Sequence, residues 1–171
     1  MKFISYILTD AIVPDLKAPD REGVIREMVR SLADAGGINY EDYEEIVKAF
    51  IKREELGSTG IGRGVAFPEI KLQNMNRSVG AVAVSAEGVD FESLEEKVRL
   101  FFMTISPSDR PGDHLRIMEH LTRRLGRDET LRESLKHAKT REDIVALLEE
   151  DDRKNWLSRA MTASKSGMSR A

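Results

Sequence analysis

The run Val98 to Ile105, V-R-L-F-F-M-T-I, has six apolar residues in eight and contains neither glycine nor proline. A strand places alternate side chains on opposite faces, and here both faces are mainly apolar. Such a segment has no solvent side and reads as a central strand, ended by Ser106-Pro107. Phe101 and Met103 share one of its faces. The rest of the chain must cover it, and the expected core is Phe101, Met103, Ile105, Val47, Phe50, Ile117 and Leu121.

Amphipathic segments able to do so lie on both sides in sequence. Ile4 to Val13 is mostly apolar and suits a short helix or strand. Asp20 can cap a helix that buries Val24, Met28, Val29 and Leu32, with Gly36-Gly37 as its stop. Asn39 can cap a second, whose face Tyr43, Ile46, Val47, Phe50 and Ile51 follows the i, i+3, i+4, i+7, i+8 pattern. Val79 to Val84 reads as a strand, followed by a turn at Glu87-Gly88. After a polar loop from Asp109 to Gly112, Asp113 opens a helix with His114, Ile117, Met118, Leu121 and Leu125 on one face. His114 therefore faces inward in the first turn, as a satisfied core residue or as a catalyst. His120 and His137 fall off the apolar faces and read as surface residues. Asp128 can cap a helix through Leu131 and Leu135, and Thr140 to Asp143 resembles a capping box before Ile144, Leu147 and Leu148.

Between the second helix and the next strand lies G-S-T-G-I-G-R-G-V-A-F-P-E-I-K-L, Gly57 to Leu72, with four of the chain's twelve glycines. Glycine reaches backbone conformations closed to other residues, so this is a built turn. It is either a hairpin-like turn followed by a surface glutamate or a turn that holds an anion on backbone N–H groups. Val65 to Phe67 is a short buried strand ended by Pro68, and Glu69 follows where a strand edge meets a cleft. Arg53 stands four residues before the turn, as a solvated arginine or as a guanidinium for an anion. A P-loop is excluded, because Arg63-Gly64 follows Gly62 where Lys-[Ser/Thr] is needed. A dinucleotide fingerprint is excluded because the glycines lead into a strand instead of a helix.

The balance of charge bounds the partners. Net charge is −3, which argues against nucleic acid. From Arg153 onward there are five Lys or Arg and no Asp or Glu, so +5 sits in that segment and −8 on the rest. Residues 1–150 are expected to form one domain and 151–171 a basic polar tail, partly disordered after about Met161, with Trp156, Leu157 and Met161 available for a docking turn. The chain has no cysteine, which suits the cytoplasm. The N-terminal apolar run is too short for a signal peptide or membrane span. No metal or cofactor is expected.

The run R-E-E-L-G-S-T-G-I-G-R-G-V-A-F-P, Arg53 to Pro68, resembles the signature of the enzyme IIA domain of the phosphoenolpyruvate-dependent sugar phosphotransferase system, in its fructose, mannitol and nitrogen-regulatory class. G-V-D-F at Gly88 to Phe91, the strand V-R-L-F-F-M-T-I, the helix H-L-R-I-M-E-H-L and the closing helices extend the resemblance over residues 4 to 150. It implies a single compact α/β domain, a mixed sheet flanked by helices. It also implies a cleft in which a histidine takes a phosphoryl group from the histidine-containing phosphocarrier. That group passes to a sugar-transporter domain, or the protein's state regulates a target. By the same resemblance Arg53, Ser58, Thr59 and His114 surround the acceptor, His114 matching a second histidine that stabilises the phosphoryl group. Arg63 stands where a smaller polar residue is frequent.

At the acceptor itself this sequence departs. Where the family pattern runs Ala-x-Pro-His, it has Ala66-Phe67-Pro68-Glu69. A neutral imidazole is a nucleophile for phosphoryl transfer. A carboxylate already carries charge, and two unit charges ~4 Å apart repel by about 4 kcal/mol at an effective dielectric of 20. The favoured expectation is a regulatory protein-binding module with Glu69 in the acceptor position. A relay protein using His114, and a small-anion sensor built on the glycine turn, Arg53 and His114, stand beside it.

Overall fold

The computed structural model describes residues 1–92 and 96–168. In chain order it comprises β1 (Ile7–Val13), α1 (Arg21–Asp34), α2 (Tyr43–Leu56), β2 (Gly60–Gly62), β3 (Val65–Ala66), β4 (Glu69–Leu72), β5 (Val79–Val89), β6 (Val98–Pro107), α3 (Pro111–Arg127), α4 (Glu129–His137) and α5 (Arg141–Met168). Short 3-10 turns at Phe3–Ser5 and Tyr40–Asp42 precede β1 and α2.

The apolar run becomes β6, and the sheet is built on it. The order is β1-β5-β6-β3-β2, with β4 also on β6 beyond β3. Pairing is mixed: β5 runs antiparallel to β6, while β3 and β4 run parallel to it and β1 parallel to β5. Alternation along β6 divides the core. Phe101, Met103 and Ile105 pack with α1 and α2 through Val24, Met28, Val29, Leu32, Val47 and Phe50. Leu100 and Phe102 pack on the other face with Ile117, Leu121 and Leu125 of α3 and with residues of α4 and α5. All seven expected core residues are buried. The result is an α/β domain, a mixed sheet between helical layers.

Several local expectations change. Asn39 precedes the 3-10 turn and makes no side-chain cap; Asp42 precedes α2, also without one. Helix α3 begins at Pro111 instead of Asp113, since proline is pre-set for a helix's first position, where its missing N–H costs nothing. Strand β6 runs through Pro107, because β4 continues alongside and pairs Leu72 with Pro107. Glu87-Gly88 is not a turn but part of β5, which bulges between Val84 and Val89. Gly88 takes φ +80 there, and a Cβ on it would lie 2.8 Å from Lys97 Cβ. Asp20 and Asp128 cap α1 and α4 as expected, through the N–H groups of Gly23 and Leu131.

Helix α5 runs without a break past residue 150, where composition suggested a separate tail. Asp151 and Asp152 are buried in it. Asp152 accepts from the N–H groups of Phe3 (2.7 Å) and Ile4 (3.2 Å) and so caps the first 3-10 turn. Trp156, Leu157 and Met161 lie on this helix and are exposed. The last part of the expected tail, 169–171, lies outside the described residues. No helix among the described residues is long and apolar enough to cross a membrane.

Candidate functional site

Three elements meet at Glu69. Pro68 ends the short β3 segment, and Glu69 opens β4 opposite Thr104 of β6. At the far end of β6 the chain turns directly into α3, which brings His114 of its first turn over buried Ser106. Helix α2 delivers Arg53 in its last turn. Glu69 places one oxygen on each neighbour. Arg53 Nε donates to Oε1 at 2.7 Å, and His114 Nε2 lies 2.9 Å from Oε2. The Glu69 side chain is 16% exposed, His114 10% and Arg53 35%, so the carboxylate is largely withdrawn from water.

Each partner is held by a further contact. Arg53 also donates through Nη1 to the Gly57 carbonyl at 2.8 Å, which ties the guanidinium to the end of its own helix. His114 Nδ1 lies 2.9 Å from Ser106 Oγ. Both ring nitrogens are therefore engaged, and the arrangement that satisfies every group puts a proton on Nε2 facing the carboxylate. Burial acts most strongly on the Glu69 carboxyl, and upward. The hydrogen bonds from His114 and then Arg53 outweigh it and hold the group below its ordinary value.

The other expected site residues do not reach this carboxylate. Thr59 turns both its N–H (3.0 Å) and its hydroxyl to Glu54, which is 3% exposed. Ser58 Oγ accepts from the Gly60 N–H at 3.1 Å within the turn. Arg63 leaves the cleft altogether: its Nη1 donates to the Gly126 carbonyl near the end of α3. The glycines themselves make a hairpin, β2 against β3, with left-handed conformations at Gly62, Arg63 and Gly64. Gly64 takes φ +74, which favours glycine, and the Lys136 side chain of α4 comes close to it. Glu54 and Ser106 were not visible as site residues. Glu54 sits in the charged run Lys-Arg-Glu-Glu, where nothing separates the buried acid from its exposed neighbour, and Ser106 reads simply as a strand end.

His120 is also misplaced by sequence. It is 2% exposed, its imidazole 4.5 Å from the Phe3 ring and its Nδ1 2.9 Å from the Tyr6 hydroxyl. Burial, helped by nearby cations, pushes its pKa down to about 4. The polar face expected there is covered by the first residues of the chain, which no helical periodicity of α3 could reveal.

A mixed sheet with its central strand running into a helix that returns a histidine to the sheet edge defines the class of domain. Residues 5–151 match the family described as phosphoenolpyruvate-dependent sugar phosphotransferase system, EIIA 2, and the chain belongs to that family. Among its relatives, the fructose-specific EIIA component of Haloferax volcanii is 33% identical over 76% of this chain and 83% of its own length. The nitrogen regulatory protein of Bradyrhizobium diazoefficiens is 29% identical over 86% and 95%. The fructose-specific EIIABC component of Bacillus subtilis is 31% identical over 90% of this chain, which spans only 24% of that protein. Of solved structures, the nitrogen regulatory protein IIA-Ntr of Neisseria meningitidis superposes with a TM-score of 0.74 at 26% identity, covering 84% of this chain and 97% of that one. Enzyme IIA mannitol of Escherichia coli, in a complex with phosphorylated enzyme IIB mannitol, gives 0.66 at 25% identity over 82% and 95%.

Proposed function

We propose that this protein is a cytoplasmic EIIA module of the nitrogen-regulatory type whose phosphoryl site is filled by its own carboxylate, and that it works by binding a protein partner instead of relaying phosphate. The observation that carries this reading is the two-sided capture of Glu69 by Arg53 (2.7 Å) and His114 (2.9 Å). A guanidinium and an imidazole placed around one oxyanion are the groups that would neutralise a phosphoryl group. Here they neutralise a side chain. An incoming phosphoryl dianion would have to displace a paired carboxylate or sit beside it, and either costs charge repulsion in a site shielded from water.

Mimicry of a phosphorylated state is partial. A phosphohistidine carries nearly two negative charges and three acceptor oxygens, whereas Glu69 supplies one charge and two oxygens. The module would then present one fixed state to its partner. Leu56 and Leu115, close in sequence to Arg53 and His114, are 80% and 59% exposed, as a protein-docking surface beside the cleft would need. Enzyme IIA mannitol, similar in fold, is seen bound to phosphorylated enzyme IIB mannitol, which favours a phosphotransferase-system protein or a regulated target as partner. His114 as an alternative acceptor finds less support, since both its ring nitrogens are engaged.

The test is incubation with phosphoenolpyruvate, the first enzyme of the system and the phosphocarrier, read by intact mass. Wild type is expected to gain nothing, and Glu69→His to gain one phosphoryl group. A phosphoryl group on wild-type His114 would overturn the proposal.

A further inference from the structure

A second concentration of cations lies away from Glu69, where the beginning of the chain meets α3 and α5. A cavity of about 110 Å³ opens there, lined by Lys2, His120, Arg123, Asp152, Trp156 and Arg159 among others. At roughly 30 Å³ per water it has room for three or four, the size of one tetrahedral oxyanion. Its charges are unbalanced. Lys2, Arg123 and Arg159 make none of the ion pairs found among the described residues, whereas neighbouring Arg124 is committed to Asp151 (2.6 Å) and Asp128 (2.9 Å). The one carboxylate at the cavity among the described residues, Asp152, has its oxygens on the Phe3 and Ile4 N–H groups, and burial raises its pKa above the ordinary value.

The floor of the cavity adds a directed donor. Among the described residues the Tyr6 hydroxyl has a single hydrogen-bond partner, His120 Nδ1 at 2.9 Å. If Nδ1 carried the proton, the buried Tyr6 O–H would have no acceptor. The satisfied arrangement has Tyr6 donating to Nδ1, which leaves the proton of the neutral imidazole on Nε2. Nε2 has no partner among the described residues, and His120 is 98% buried at the cavity wall. His120 Nε2 is thus a donor without a protein acceptor among the described residues, still accessible at the wall of a cavity edged by cations outside those ion pairs, and an anion would satisfy it.

We propose that this cavity is a second anion site, taking a phosphate group, free or as a monoester, between His120 Nε2–H and the side chains of Arg123, Arg159 and Lys2. Donors from the floor and from three walls suit a tetrahedral dianion better than a planar carboxylate, which two would satisfy. Trp156 at the rim offers an aromatic face to whatever the phosphate carries.

Trp156 is the chain's single tryptophan, so its fluorescence reports on this cavity. The full chain is titrated with inorganic phosphate and, separately, with a hexose monophosphate, at constant ionic strength set by chloride. The expected result is a saturable change in emission. Tighter binding of the monoester would assign the site to a phosphorylated metabolite, and equal binding to free phosphate. Arg123→Gln and Arg159→Gln, both at exposed positions, should each weaken binding ~10-fold, the loss of one charge-assisted contact. Lys48→Gln, an exposed cation on α2, should leave it within about twofold. No saturable change with either ligand, or one that the two arginine variants leave intact, would overturn the proposal.

Discussion

His114 and His120 stand six residues apart on α3, both buried, and their neighbours are of opposite kinds. Six residues at 3.6 per turn rotate a side chain by about 240°, so the two rings look into different parts of the molecule. His114 meets a carboxylate on one nitrogen and a hydroxyl on the other, in a cleft entered by an arginine. His120 lies against Phe3, takes one hydroxyl from Tyr6, and is kept neutral by burial, with its pKa near 4. The same side chain on the same helix is the hydrogen-bond partner of a carboxylate in one place and a packed aromatic with a donor in the other. The partners arriving from β4 and from the first residues decide which.

The largest effect expected from this contrast is on stability. His120→Ala removes a ring from a packed box and orphans the Tyr6 hydroxyl, and should cost about 3 kcal/mol in denaturant unfolding. His114→Ala gives up two hydrogen bonds but leaves Glu69 paired with Arg53, and should cost less, about 2 kcal/mol. Equal losses would erase the distinction. Glu69→Ala leaves Arg53 and His114 facing each other without an acceptor and should cost about 2 kcal/mol, whereas Glu69→Gln should cost less because an acceptor oxygen remains. Tyr6→Phe takes away one hydrogen bond to His120 and should cost about 1 kcal/mol.

The two regions also differ in how the melting temperature follows pH, in two adjoining windows. Folded His120 titrates near 4 and the unfolded residue near 6.5, so between them the unfolded chain binds more protons. Its contribution is complete above pH 6.5 and drains away as pH falls toward 4. The Glu69 carboxyl is held below its ordinary 4.5, so its contribution is present above that value and lost as pH falls through the folded one. Substituting His120 by Gln should flatten the upper window and leave the lower one, and Glu69→Gln should flatten the lower.

What could be read from the sequence follows the same division. Residues whose role is set by local pattern were legible: the apolar run of β6, the faces of α1 and α2, the caps at Asp20 and Asp128. The pairing of Glu69 with Arg53 and His114 was legible through the family signature, because the motif fixes which strand and helix ends converge. Residues whose role depends on distant chain were not. His120 lies off the main apolar stripe of α3 and is buried only because Phe3 and Tyr6 come across it. Glu54 and Thr59 satisfy each other in a turn whose shape the glycines permit without specifying. Arg63 has a left-handed backbone (φ +59) that sends its side chain to the end of α3, a direction invisible in G-I-G-R-G.

The central claim is that the cleft is already occupied by the chain's own anion, with a proton on His114 Nε2 shared toward Glu69. Nitrogen-15 NMR of the His114 ring tests this most directly. The expected result is a protonated Nε2 with a slowly exchanging, downfield Hε2 resonance, and loss of that resonance or a large upfield shift in Glu69→Gln. An unprotonated Nε2 in wild type, or a resonance that ignores Glu69→Gln, would contradict it.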